Sequence, residues 1–425
     1  MAESSKPRVA IIGSGVSGLT AAWLLRNTHD VSLFEKAPRL GMGQNGIDYE
    51  TSFGTRRIDV PLRVFSSRYY PNLYRLCTLL GIDVRLLDND SSFSNANGET
   101  YFRYFNLSLG SRSFSYIKPR LNQIGWTVAF LKEYFRLKTY VQKSKAYDQD
   151  ESIDQFFTRK GYSKTFKQEF FYPFFAAVCT CSYESLKAFP AEVILGLFQS
   201  FIAPEPMRRW TGGTSDLENA LSDGVEPINF DANILRVEQS ETGPCLTFKQ
   251  GQSQNFDKVI IALQANQAAV ILGDSFAKTK ELLKQVPYGR LEVAVHGDQS
   301  VMPIRKKDWA TVNYTLSEAT QNPQASIWLN RGELDFCDVK ENLFQTVNPM
   351  SDLHNIVKTT SFERSLVTVD SLKAVKQLIH LQDEQQDVFV CGAYLAEKLP
   401  LLENGVVSAI RICRKLGAKI PQDLS

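Results

Sequence analysis

Three glycines, a serine and an acid carry the chemistry most legible in this chain. Gly13-Ser14-Gly15-Val16-Ser17-Gly18 follows an apolar run, Val9 to Ile12, and precedes a helix-forming stretch, Leu19 to Arg26. A second apolar run, Val31 to Phe34, ends in Glu35, 22 residues after Gly13. A glycine turn between a buried strand and a helix suits a dinucleotide. Gly13 permits the tight turn, Gly15 lets the backbone approach a pyrophosphate, and Gly18 allows the helix to pack closely on the strand. Free N–H groups at the helix start, with the helix dipole, hold phosphate charge without a cationic side chain. Glu35 is placed to accept hydrogen bonds from a ribose diol and would repel a 2′-phosphate. An ordinary glycine turn accounts for the glycines alone and leaves Glu35 unexplained.

Other chemistry-bearing residues are sparse. Arg63 interrupts the apolar run Ile58 to Phe65, either as a substrate-facing cation or as a surface residue or partner to an acid. Of the seven cysteines only Cys179 and Cys181 are close, and the chain has four histidines, so no metal site is expected. Reduced thiols of a cytoplasmic compartment fit that pattern. His296 reads as a structural histidine. We find no Ser-His-Asp or Cys-His arrangement, no paired-carboxylate motif and no P-loop.

The elements that must position these groups follow from composition and periodicity. The 425 residues exceed one simple core, and 43% hydrophobic with 22% charged residues describes an ordinary globular chain. A formal net charge of +2 without a basic stripe excludes nucleic acid as an expected partner. No stretch offers the ~20 apolar residues of a membrane span, and MAESSKPR lacks the core of a signal peptide. Tyr70 to Gly81 reads as a helix closed by Gly81, and Gln123 to Val141 and Ile153 to Tyr172 as amphipathic helices. Residues 101 to 201 hold 25 of the chain's 48 aromatic residues, which serves an aromatic core, an apolar pocket or both. Lys132, Arg136, Lys138, Lys143 and Lys145 beside aromatics leave a peripheral contact with an anionic membrane open, a solvated face being the plainer reading. Trp210 to Thr214 then Leu217 to Leu221 reads as a turn and short helix. Asn229 to Glu238, Cys245 to Lys249, Phe256 to Leu263 and Val388 to Gly392 read as strands. Leu401 to Leu416 reads as a helix with Asn404 as N-cap.

GSGVSGLTAAWLL followed by LFEKAPRLGMG resembles the start of the FAD-dependent amine-oxidase and phytoene-desaturase superfamily. Within it, the likeness is nearest to small bacterial-type NAD/FAD-binding oxidoreductases and to the flavoprotein half of plant cyclopropane-fatty-acid synthases. It runs from residue 8 to residue 417, taking in VAVHGDQSVMPIRKKDWATVNY and Glu403-Asn404-Gly405. The resemblance implies an α/β fold: a Rossmann-type FAD domain of the two-dinucleotide-binding type with an interleaved α+β substrate domain. Residues 1–75, 206–272 and 381–425 would form the FAD domain. Residues 76–205 would form the helical, aromatic part of the substrate domain and 273–380 its sheet, whose face would roof the flavin.

The same resemblance assigns FAD to Gly13, Ser14, Gly15, Val16, Ser17, Gly18, Glu35, Lys36, Gly41, Met42 and Gly43. Ile234 would meet the adenine, and Gly392, Glu403, Asn404, Gly405 and Val406 the ring, whose reduced charge their N–H groups would stabilise. Departures are Met42 in the glycine loop, Pro61-Leu62 where the family has Gly-Phe, and a shortened Trp210 to Thr214 stretch. Family histidines are replaced at Gln44-Asn45, Ser200, Ser365-Leu366 and Leu401-Leu402. The expected chemistry is hydride removal from an apolar, lipid- or isoprenoid-like small molecule, with Tyr394 and Arg63 as candidate substrate contacts. Alternatives are a double-bond isomerase without net redox change, an amine oxidase, and a flavin-binding partner without catalysis. Oligomeric state is left open.

Overall fold

In a computed structural model the chain is described at residues 6–424, except 88–89, 110–111, 118–123, 145–146, 203–205, 318–321, 333–335, 337, 385–386 and 397. Gln123 and Lys145, singled out above, lie outside the described residues.

A five-stranded parallel sheet forms around Arg8–Ile12, which pairs Asp30–Phe34 on one side and Lys258–Ile261 on the other. Ile228–Asn229 and Val388–Val390 complete its edges. Val9 to Ile12 are buried on both faces, which is why this strand reads as an unbroken aliphatic run. The helices Val16–Leu25 and Leu402–Lys415 cover one face, sharing a core with Val9, Ile11 and Leu33. The helices Ala265–Ile271, Ala277–Lys284 and Val369–Glu384 cover the other, with Ala10, Ile12 and Val259. Helix-covered parallel strands after a glycine turn are what the opening motif requires.

The second layer is an eight-stranded sheet, in order Ile356–Ser365, Tyr288–His296, Phe344–Val347, Gln324–Trp328, Val312–Leu316, Ser91–Asn95, Thr100–Leu109 and Arg112–Ile117. One pair, Val312–Leu316 with Ser91–Asn95, is parallel, and the others are antiparallel. The aromatic segment packs on it: Phe130, Phe170, Phe171, Phe174 and Phe175 join Phe93, Tyr314 and Leu291 in one core. Trp126 and Phe130 stack at 5.4 Å, and Phe93 and Tyr314 at 4.8 Å, so the aromatics fill the interior as ring-on-ring layers.

The structure corrects two helix boundaries. Ile153 to Tyr172 is not one helix: Ile153–Arg159 stops before Gly161, whose φ of +64° turns the chain, and a π-helical turn, Phe166–Phe171, leads into Tyr172–Cys179. The aromatic spacing runs on through that break, which concealed it. At the C-terminal helix, Leu401 is the extended capping residue and Asn404 already lies in the first turn, its side chain donating to the Leu399 carbonyl. The helix Pro71–Leu79 ends before Gly81 (φ +67°), as its sequence indicates, and Thr214–Ser222 supplies the short helix after Trp210. No helix among the described residues is long and apolar enough to cross a membrane.

Candidate functional site: a glycine cradle between two helix starts

The first glycine turn is built for close approach at two positions and for open space at a third. Gly13 has φ +100°, and a Cβ there would lie 2.7 Å from the Ala262 carbonyl oxygen. A Cβ on Gly18 would sit 1.9 Å from the Gly13 carbonyl oxygen, so helix and strand meet there without room for a methyl group. Gly15 differs: a Cβ would meet nothing within 4 Å. Gly15 also caps the helix Val16–Leu25 with no side-chain hydrogen bond, so the helix start keeps N–H donors facing that open space.

Glu35 is fixed beside this opening. Its carboxylate accepts from the Ser14 N–H (2.9 Å), the Ser14 hydroxyl (2.6 Å) and the Ala37 N–H (2.9 Å). Ser14 Oγ accepts in turn from the Gly41 N–H at 2.9 Å, tying the glycine loop to the turn. Three donors leave a carboxylate one of about four lone-pair sites, enough for a ribose hydroxyl. The backbone of Glu35 is gripped by Asn229 and Ala232, which brings the start of the strand Ile234–Ser240 alongside. Ile234 itself donates its N–H to the Ala232 carbonyl at 3.2 Å. Lys36 is exposed at the strand end, and Met42 is buried with Trp210 and Leu217 rather than turned toward the opening.

Two residues that the sequence did not disclose hold the glycine loop. Glu218, buried on the helix Thr214–Ser222, accepts from the Gly43 N–H at 2.8 Å and from the Met42 N–H, while burial pushes its carboxyl upward. Arg57 donates to the Gly43 carbonyl at 2.8 Å and pairs with Asp48 at 2.8 Å. Glu218 stands 175 residues from Gly43, so no local pattern could reveal it.

The C-terminal helix start lies against the first helix: a Cβ on Gly405 would be 2.7 Å from Val16 Cγ1 and 2.8 Å from Ser17 Oγ. Its first turn differs from expectation. The Asn404 and Gly405 N–H groups both return to the Leu401 carbonyl, at 3.0 and 3.3 Å, so the donors left at this start are those of Leu402 and Glu403. The Glu403 carboxylate turns away to cap the helix Pro71–Leu79, accepting from Asn72 N, Asn72 Nδ2 and Leu73 N at 3.1, 2.8 and 2.9 Å. Val406 is buried in the shared core. Gly392 gives its N–H to Ser408 Oγ at 3.0 Å, and a Cβ there would strike the Tyr394 ring at 2.5 Å.

Residues 11–80 match the NAD(P)-binding Rossmann-like domain family. No curated protein matches the chain in sequence. Solved structures do match in fold. The CLA-producing fatty acid isomerase from P. acnes superposes with a TM-score of 0.68 at 13% identity, covering 96% of this chain and 98% of that one. The cyclohexylamine oxidase from Brevibacterium oxydans IH-35A gives 0.66 at 14%, over 97% and 100%. Wild-type putrescine oxidase bound to putrescine gives 0.67 at 13%, over 97% and 99%. The chain shares the fold of these three enzymes.

The two candidate substrate contacts, Tyr394 and Arg63, have different surroundings. Tyr394 is buried in the apolar cluster of the parallel sheet with Ile261 and Val390, and its hydroxyl has no partner among the described residues. Arg63 is half-buried, closely surrounded by the rest of the chain. Burial lowers its pKa most, and the charges of Asp59 and Glu218 work against that. His296 is structural: its Nδ1 accepts from the Asp298 N–H at 3.1 Å and its Nε2 meets Thr346 Oγ1 at 2.8 Å. Burial brings its pKa down to about 4. Among the described residues no cluster could hold a metal ion.

Proposed function

We propose that the chain is an FAD-dependent oxidoreductase removing a hydride from a C–H of an apolar small molecule. One observation carries the reading: an uncapped helix start, open at Gly15 and closed at Gly13 and Gly18, lies against the start of the C-terminal helix. The fit favours the cofactor. The open Gly15 position admits a diphosphate, the N–H groups of Val16, Ser17 and Gly18 would hold it, and Glu35 would take a ribose hydroxyl. The donors of Leu402 and Glu403 would add positive potential near the ring.

Bound flavin supplies a hydride acceptor. The rest falls to side chains of the chain. Glu218 and Arg57 hold the glycine loop in register with the turn. The partly buried apolar side chains packed on the aromatic core, among them Phe201, Phe362 and Leu366, would exclude water and favour a substrate with little polarity. The test is anaerobic: the purified, FAD-loaded chain is mixed with candidate lipids and followed by visible absorbance. Bleaching with formation of an unsaturated product supports the reading. A rearranged product without bleaching indicates isomerisation instead, and absence of any flavin binding refutes both.

A further inference from the structure

We propose that Arg364 anchors an anionic head group, a carboxylate, on an otherwise apolar substrate; this rests on the proposed function and narrows its substrate class. Arg364 lies near the end of the strand Ile356–Ser365, opposite Gly289. Side chains two apart on a strand share a face, and Phe362 and Leu366, its neighbours on that face, pack against the aromatic core. A guanidinium is thus planted in an apolar wall. The acid beside it in sequence, Glu363, is on the other face and accepts from Asn266 at 3.0 Å.

Arg364 is held at one end only. Its Nε donates to Thr180 Oγ1 at 2.8 Å, and the Thr180 hydroxyl itself donates to the Cys179 carbonyl at 2.7 Å. Thr180 caps the helix Tyr172–Cys179 in the left-handed region, φ +52° and ψ +53°, a costly conformation for a β-branched residue. Among the described residues no carboxylate lies within ion-pairing distance of Arg364, and its two terminal nitrogens have no hydrogen-bond partner. The titratable groups that face it are Tyr70, Cys179 and Cys181. Burial pushes all three upward, Tyr70 and Cys181 to about 12, so none is an anion at neutral pH.

Arg63, the second interior cation, is near enough for the two charges to repel. The acids that face Arg63 are committed elsewhere. Asp59 accepts from the Thr214 N–H and hydroxyl at 2.9 and 2.8 Å, and Glu218 accepts from the glycine loop. Two neighbouring guanidinium groups, of which Arg364 stands in an apolar wall without an anion among the described residues, would accept a carboxylate in bidentate geometry and repel a protonated amine. Tyr70 immediately precedes the helix Pro71–Leu79, whose Asn72 and Leu73 N–H groups donate to Glu403, so the surroundings of Arg364 adjoin the start of the C-terminal helix and the proposed flavin edge. A head group held there would leave the adjoining apolar chain against Phe362 and Leu366, the partly buried side chains that flank Arg364 on its face.

The experiment uses the flavin-loaded chain with three probes of equal length: decanoate, decanol and decylamine. Binding is read by perturbation of the flavin spectrum and, independently of flavin, by thermal shift. Decanoate is expected to bind at least tenfold more tightly than decanol, and decylamine not measurably. Arg364→Gln should lose at least tenfold in decanoate affinity with unchanged flavin content, and Arg364→Lys should retain part of it. Equal binding of decanoate and decanol overturns the proposal, as does loss of flavin rather than decanoate in Arg364→Gln, which would assign the guanidinium to the cofactor. Where Arg364→Gln does not fold, the three-probe comparison on the unaltered chain decides. A chain that takes no flavin but still prefers decanoate by thermal shift sinks the oxidoreductase reading and leaves the anion site standing.

Discussion

Replacing Gly15 by alanine separates folding from cofactor binding. Gly15 has φ −69° and ψ 179°, a conformation open to any residue, and the new methyl group would meet nothing within 4 Å. Glycine-to-alanine changes at such positions stabilise by about 0.4–1 kcal/mol through the unfolded chain. The same methyl group would occupy the space assigned to the diphosphate, displacing it from the N–H groups of the helix start. Losing two hydrogen bonds to a charged group costs about 3 kcal/mol or more, roughly a hundredfold in affinity. Gly18→Ala is the contrasting control. Its Cβ would lie 1.9 Å from the Gly13 carbonyl oxygen, so that helix must shift, costing about 1–3 kcal/mol or more of folding free energy. Urea unfolding of the flavin-free chains and titration with FAD read the two effects. Gly15→Ala should unfold at equal or higher urea and bind FAD at least a hundredfold more weakly, whereas Gly18→Ala should lose stability. A Gly15→Ala chain that binds FAD as tightly as the parent refutes the placement of the diphosphate.

Glu218→Ala leaves the Met42 and Gly43 N–H groups buried without their acceptor; calorimetry should show a loss of about 2 kcal/mol or more and weaker FAD binding. Glu403→Ala removes the acceptor for three donors at the start of the helix Pro71–Leu79, and a stability loss of about 1–3 kcal/mol is expected in chemical unfolding. His296 should stay neutral in the folded chain down to about pH 4, whereas the unfolded chain protonates it near 6.5. Its contribution, about 3 kcal/mol, is therefore complete above pH 6.5 and lost as pH falls toward 4; an imidazole NMR titration midpoint near 6.5 in the folded chain would contradict this.

The opening crossover was legible because its signals are local and dense. Strand, glycines, helix and acid fall within Arg8 to Glu35, and each residue is constrained by neighbours in sequence. The parallel strands at Lys258–Ile261 and Val388–Val390 were legible for the same reason, as short aliphatic runs buried on both faces. Glu218 and Ser408 were not, because each acts on backbone far away in sequence, at Gly43 and at Gly392. Arg364 escaped notice because a single arginine in a strand carries no sign of the walls it will meet. Asn404 has the chemistry of a cap, but Leu401 takes that position and its carbonyl receives the Asn404 N–H, so tertiary placement of the chain after Leu399 overrides the preference.

The central claim is that the cradle at Gly13 to Gly18, facing the C-terminal helix, holds one flavin adenine dinucleotide. Titration of the flavin-free chain with FAD and with NAD, read by calorimetry, tests it directly. The account predicts one FAD per chain and little affinity for NAD. Saturable binding of NAD in preference to FAD, or no binding of either, contradicts it.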